Sequence, residues 1–74
     1  MSNTKIKKYH IPNIYYKPAM YAWQLIKHQN IGFNQAVDIA HASFTNPESE
    51  NHVPKSKLNR NTLAKHLIKH IINT

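Results

Sequence analysis

A polar and basic stretch near the C-terminal end of the chain carries the side chains best suited to recognition chemistry. In order, these are Asn59, Arg60, Asn61, Thr62, Lys65, His66 and Lys69. An arginine can donate paired hydrogen bonds to guanine, an asparagine can pair with adenine, and a lysine can neutralise a phosphate. Placed at the start of a helix, these residue types would suit the major groove of DNA.

The apolar residues in this stretch predict the helix that would carry the polar ones. Leu63, Leu67 and Ile71 recur on one helical stripe, and we expect Ala64, Ile68 and Ile72 to widen it. We therefore place a third helix at about 59–73. Taken alone, such a helix can equally be an amphipathic surface helix that happens to be basic.

The charge of the whole chain points to an anionic partner. Lysine and arginine total 10 against 3 for aspartate and glutamate, a formal net charge of +7 on 74 residues. This balance indicates DNA or RNA, an anionic membrane surface or an acidic protein. A chain of this length should form one domain with a small core, which oligomerisation or a larger parent protein would help to stabilise.

Several classes of protein are disfavoured by composition. The chain has 0 cysteines and 1 glycine, which argues against disulfide frameworks, thiolate metal sites and phosphate-cradling loops. No apolar run approaches the roughly 20 residues of a membrane span. Residues 1–11 are basic without an apolar segment and do not read as a signal peptide. We expect a cytoplasmic protein with no membrane association and no small-molecule substrate.

The N-terminal part divides into a basic arm and a lead-in. Lys5, Lys7 and Lys8 lie close together, either in a solvated terminus or in an arm that follows phosphates or a minor groove. Pro12 favours an extended backbone before it, so we expect the lead-in to be extended up to residue 17.

Apolar and aromatic side chains of this lead-in have two readings. We expect Ile11, Ile14 and one of Tyr15 or Tyr16 to pack onto the core. The tyrosines can alternatively stack on bases, as they do in single-strand binders.

Two further helices are expected in the middle of the chain. Pro18 suits the first position of helix 1, at about 18–30, with Trp23 as the central core residue. Gly32 would supply a positive φ after it, and Asn34 would cap helix 2, at about 34–44.

A long loop separates helix 2 from helix 3. Residues 45–57 include two prolines and return to positive charge at Lys55 and Lys57, so they mark a loop that is longer than usual between helices. The predicted core of the three helices comprises Trp23, Ile26, Val37, Ala40, Phe44, Leu63, Leu67 and Ile71.

Residues 32–40 and 58–67 together resemble the helix-turn-helix of resolvase-like and pipsqueak-type DNA-binding domains. The matching segments read Gly-Phe-Asn-Gln-Ala-Val-Asp-Ile-Ala and Leu-Asn-Arg-Asn-Thr-Leu-Ala-Lys-His-Leu. The resemblance covers roughly residues 22–68 and implies a three-helix domain with helix 3 in the major groove. These families have a turn of a few residues between the two helices, and this chain departs from them by its long loop.

Catalytic and metal chemistry find little support. His66 and His70 are spaced i, i+4, as in a zinc site, but Lys65 and Leu67 flank the first histidine where a zinc peptidase needs a glutamate. Ser43 near His41 is not a nucleophile–base arrangement. Three acidic residues leave little room for paired carboxylates. We expect a non-enzyme with no cofactor and no metal site.

The sequence thus predicts an all-α, small three-helix bundle resembling a helix-turn-helix, with a basic arm and lead-in at 1–17 and a DNA-binding domain at 18–74. The expected role is a small repressor, or the N-terminal module of a replication initiator, transposase or recombinase from a phage or mobile element, binding double-stranded DNA as a homodimer. The alternatives are a phage-type inhibitor or antitoxin that binds an acidic protein, and an RNA or single-strand binder. The predicted DNA-binding residues are Lys5, Lys7, Lys8, Lys55, Lys57, Asn59, Arg60, Asn61, Thr62, Lys65, His66 and Lys69.

Overall fold

The computed structural model describes residues 10–50 and 52–73. It contains three helices, α1 (Asn13–Gln29), α2 (Phe33–Thr45) and α3 (Arg60–Ile72), and no strand within the described ranges. The predicted all-α three-helix bundle is therefore confirmed. The arm residues Lys5, Lys7 and Lys8 lie outside the described residues.

α1 begins earlier than predicted, and the expectation of an extended lead-in up to residue 17 is wrong from Asn13 onward. Pro12 is the N-cap, with φ −55° and ψ 148°, and its carbonyl accepts from the Tyr15 N–H at 2.9 Å. Pro18 lies inside the helix, although a proline there removes one backbone hydrogen bond. Its side chain is fully buried, so we infer that packing offsets the lost bond.

In the connection between α1 and α2, two predicted roles are held by residues other than those expected. Asn30 takes the left-handed conformation, with φ 55°, and its N–H bonds the Leu25 carbonyl. Gly32 has φ −61° and is the N-cap of α2, the position that Asn34 was expected to hold. Asparagine tolerates the left-handed region better than most residues, so the chain turns one residue after α1 without needing its glycine.

α2 and α3 fall within one residue of their predicted bounds at each end. Thr45 belongs to α2, because its hydroxyl donates to the His41 carbonyl at 2.7 Å and its side chain is buried. α3 starts after Asn59, whose side-chain oxygen accepts from the Thr62 N–H at 3.1 Å. This side-chain cap satisfies a backbone donor that the helix leaves free.

The core is built from small residues of α1 and α2 together with the leucines of α3. Its buried members are Ala19, Ala22, Leu25, Ala36, Val37, Ala40, Leu63 and Leu67. Four alanines allow α1 and α2 to approach closely, and two leucines of α3 cover the seam. The predicted core positions Val37, Ala40, Leu63 and Leu67 are confirmed as buried.

The larger predicted core residues lie at the edge of the bundle. Trp23, Ile26, Phe44 and Ile71 are half-buried, so Trp23 is not the central core residue. Trp23 packs against the core from its edge, with its ring beside His70 of α3. Ile11 and Tyr15 pack against the core, whereas Ile14 is 41% exposed, contrary to expectation.

Candidate nucleic-acid interface

One side of α3 is turned away from the rest of the bundle. Its exposed members are Asn61, Lys65, Ile68, Lys69 and Ile72, and we call this set the outward face of α3. Successive residues of a helix turn by about 100°, so these five positions lie opposite the buried Leu63 and Leu67. The outward face combines one amide, two cations and two aliphatic side chains.

The two isoleucines of this face were assigned to the buried stripe, which the structure corrects. Ile68 is 44% exposed and Ile72 is 74% exposed. They stand too far around the helix from Leu63 and Leu67 to reach the seam between α1 and α2. The sequence was ambiguous at these two positions, because an isoleucine beside an apolar stripe is compatible with either a buried or an exposed side chain.

The start of α3 is held by two hydrogen bonds centred on Asn59. Its side chain caps Thr62, and its backbone N–H donates to the Tyr15 hydroxyl at 3.0 Å. Tyr15 thus connects α1 to the first turn of α3. Asn59 and Thr62 were both predicted to contact DNA. In the structure, the Asn59 Oδ1 atom and the Thr62 backbone N–H form the cap of α3.

Arg60 is directed toward α2, about 100° around the helix from Asn61. Its Nε donates to the Asp38 carboxylate, and its guanidinium also donates to the Asn34 carbonyl at 3.3 Å. The two charged side chains are 34% and 62% exposed, so the pair is a surface salt bridge of modest strength. The structure brings Arg60 to the α2–α3 contact and does not group it with the outward face.

The long segment before α3 is anchored at several points. The Val53 N–H donates to the Phe44 carbonyl at 2.7 Å, and the Lys57 and Leu58 N–H groups donate to the Pro54 carbonyl at 2.9 and 3.2 Å. Leu58 is fully buried. These contacts hold the segment against the end of α2 and lead it directly into α3.

A histidine of α2 secures the last residue of this segment. His41 Nε2 lies 2.8 Å from the Leu58 carbonyl oxygen, and since a carbonyl only accepts, Nε2 carries the proton. Lys55 and Lys57 remain exposed. Both lysines lie shortly before the N-terminal end of α3.

The histidines of α3 face α1. The Tyr15 and His66 rings lie 4.9 Å apart at 46°, and the Trp23 and His70 rings lie 6.3 Å apart, edge to face. Burial lowers the pKa of His66 below its usual value, and nearby Lys69 lowers it further. The i, i+4 spacing of the two histidines thus serves helix packing, and His66 does not belong to the outward face.

Lys27 Nζ lies 5.3 Å from the centre of the Trp23 ring, within cation–π range.

Metal-binding side chains do not gather within residues 10–50 and 52–73, where the structure holds no group of three or more His, Cys, Asp or Glu suited to an ion.

Charge is strongly uneven around α3. The sequence of α3 contains Arg60, Lys65 and Lys69 and no acidic residue, and of the chain's three acids Glu48 and Glu50 lie in the loop while Asp38 bonds Arg60. The outward face therefore carries positive charge with no carboxylate on its own helix.

Comparison of the chain with protein-family models, with curated proteins and with solved structures finds no match. Among the described residues, each helix is too short or too polar to cross a membrane.

Proposed function

We propose that this chain is a DNA-binding domain that places the outward face of α3 in the major groove of a duplex. The observation that carries this proposal is the exposed row of Asn61, Lys65 and Lys69 on a helix with no acidic residue. A major groove admits one α-helix, and lysine and asparagine are common partners of phosphates and base edges. The net charge of +7 supports an anionic partner.

The side chains divide into three roles under this proposal. Asn61 faces base edges. Lys65, one turn later on the same side, neutralises phosphates together with Lys55, Lys57 and Lys69, and we propose the same for the arm lysines. Arg60 joins α3 to α2 through its bond to Asp38 and makes no direct contact with DNA while that ion pair holds.

The proposal extends to the oligomeric state on DNA and to the biological role. One recognition helix contacts few base pairs, so we propose a homodimer that places two copies of α3 about one turn of DNA apart. Such a domain would act in the cytoplasm in transcription regulation, replication or recombination, as a small repressor or as a module of an initiator, transposase or recombinase. A phage or mobile element is the proposed setting.

The test is a titration of duplexes at several salt concentrations with three variants. Lys65→Ala should weaken binding to all duplexes and lower the salt slope by about one. Asn61→Ala should cost roughly 1–3 kcal/mol and relax preference at one base pair. Lys17→Ala is the matched control, because it removes an exposed lysine from α1 and should change binding less than Lys65→Ala does.

Equal effects of Lys17→Ala and Lys65→Ala would mean that only net charge matters and that α3 is not the interface. Unchanged binding in both Lys65→Ala and Asn61→Ala would favour the second candidate, a small inhibitor or antitoxin that binds an acidic protein. The observation that favours this candidate is the exposure of Ile68 and Ile72 beside Lys65 and Lys69, since interfaces often combine apolar contacts with charge complementarity.

A further inference from the structure

The outward face of α3 carries an aliphatic side chain between its polar ones. Ile68 is 44% exposed and lies seven residues after Asn61, close to two full helical turns. It therefore points in nearly the same direction as Asn61. An exposed aliphatic group in this position would be set against base edges if α3 enters the groove.

We propose that Ile68 recognises the 5-methyl group of a thymine, and that Asn61 and Ile68 together select a duplex site containing A·T pairs. This inference rests on the proposed function and goes further by naming the class of site and a residue that discriminates among sequences. Neither the hydrophobic stripe nor the charge pattern of the sequence indicated a recognition role for Ile68.

The spacing of the two side chains along α3 matches base pairs that lie a few steps apart in a duplex. Seven residues of helix span roughly 10 Å, and base pairs along a duplex are about 3.4 Å apart. Asn61 and Ile68 would therefore meet bases about three steps apart. Recognition helices of the homeodomain type present base-contacting side chains at the same spacing of i, i+3, i+4 and i+7, which here gives 61, 64, 65 and 68.

The chemistry of the groove selects thymine for Ile68. Among base edges in the major groove, the thymine methyl is the apolar group, whereas guanine, adenine and cytosine present donors and acceptors. Packing Ile68 over a polar edge would remove water from that edge without replacing its hydrogen bonds. Packing it over a methyl removes apolar surface of both partners from water.

The amide of Asn61 adds the complementary preference. A carboxamide offers one donor and one acceptor, which match adenine N7 and N6 in a bidentate pair. The Asn61 side chain is exposed at the first turn of α3, so it can adopt that geometry. One amide for adenine and one aliphatic group for thymine thus point to A·T pairs.

A second copy of the chain is a poorer occupant of this surface. Lys65 and Lys69 are exposed on the same side of α3 as Ile68. A symmetric contact through this surface would bring the lysines of both copies together, and like charges brought together destabilise a contact. The charge of the surface instead complements a nucleic acid.

The experiment begins with selection of binding sites by the full chain from a pool of randomised duplexes. In the selected duplex, each thymine is then replaced in turn by uracil, which removes the methyl and leaves base pairing intact. Binding is measured for the unchanged chain, for Ile68→Ala and for Ile14→Ala. Ile14 is the matched control, because it is an isoleucine of α1 that is 41% exposed, close to the exposure of Ile68, and it lies outside the outward face of α3.

The expected result is a selected site with A·T pairs in which uracil at one position weakens the unchanged chain by about fourfold, the effect of burying one carbon group. Ile68→Ala should bind the thymine and uracil duplexes equally, and Ile14→Ala should keep the difference. Selected sites made of G·C pairs, no uracil effect on the unchanged chain, or an uracil effect that persists in Ile68→Ala would each overturn the inference. Failure of the pool to yield any bound duplex would instead overturn the proposed function.

Discussion

The hydroxyl of Tyr15 in α1 accepts a hydrogen bond from the backbone N–H of Asn59 at 3.0 Å, across 44 positions of sequence. Asn59 is the N-cap of α3, so this contact joins the first helix to the residue at which the candidate recognition helix begins. The ring of Tyr15 also packs beside His66, which lies about two turns beyond Asn59 along α3. A single side chain therefore holds two points on α3.

Tyr15→Phe should destabilise the fold by about 0.5–1.5 kcal/mol, because it removes the hydrogen bond and keeps the ring. Urea denaturation measures this change. Tyr16→Phe is the matched control, since Tyr16 is the next residue of α1 and is 52% exposed, and it should stay within about 0.5 kcal/mol of the original chain. Equal stabilities of the two variants would show that the Tyr15 hydroxyl contributes nothing to holding α3.

Leu67→Ala should cost about 2–5 kcal/mol, enough to unfold a domain of this size, because Leu67 is fully buried between the helices. Circular dichroism during thermal denaturation reports the loss of helix. Ile72→Ala makes a comparable change at a 74% exposed position and should leave the midpoint nearly unchanged. If Leu67→Ala were as stable as Ile72→Ala, the packing of α3 described here would be wrong.

Stability should fall as the pH drops through the usual pKa of histidine. Burial, and secondarily Lys69, lower the pKa of His66 in the folded chain, so the neutral form is favoured on folding. The resulting stability is present above the unfolded pKa, near 6.5, and is lost as the pH falls toward the lower folded pKa. Denaturation curves at a series of pH values measure this loss.

Two histidine variants isolate the source of this pH dependence. His66→Gln should flatten the acid-side loss of stability, since it removes the group that is costly to protonate beside Tyr15. His28→Gln replaces an exposed histidine of α1 and should retain the loss. A profile that is unaltered by His66→Gln would place the pH dependence elsewhere in the chain.

Asp38→Asn should strengthen binding to duplexes of any sequence. The change removes a carboxylate from the surface and releases Arg60 from its ion pair, so the guanidinium becomes available to a phosphate. We expect the salt slope to steepen by about one, with a loss of folding stability of no more than about 1 kcal/mol.

Glu48→Gln is the control for charge alone, because Glu48 lies in the loop, and it should leave the slope nearly unaltered. Equal slopes for Asp38→Asn and the original chain would mean that Arg60 stays on α2 without its carboxylate.

The sequence by itself determined the class of fold and the existence of each helix. Apolar residues recur at helical spacing in α2 and α3, so both helices could be placed within one residue of their bounds. Local signals failed where one residue type permits two structures. Pro18 suits the first position of a helix and was assigned there, but α1 begins at Asn13 and contains Pro18 with its side chain buried.

Tertiary structure decided which polar side chains remain available. Arg60 and Asn61 are adjacent and equally suited to base recognition by type, but α2 places Asp38 beside Arg60 and leaves Asn61 exposed. In the same way the packing of the helices places Trp23 at the edge of the core beside His70 and leaves Ile68 exposed. Periodicity specifies the direction of a side chain on its own helix, whereas the contact it makes depends on which neighbouring helix lies in that direction.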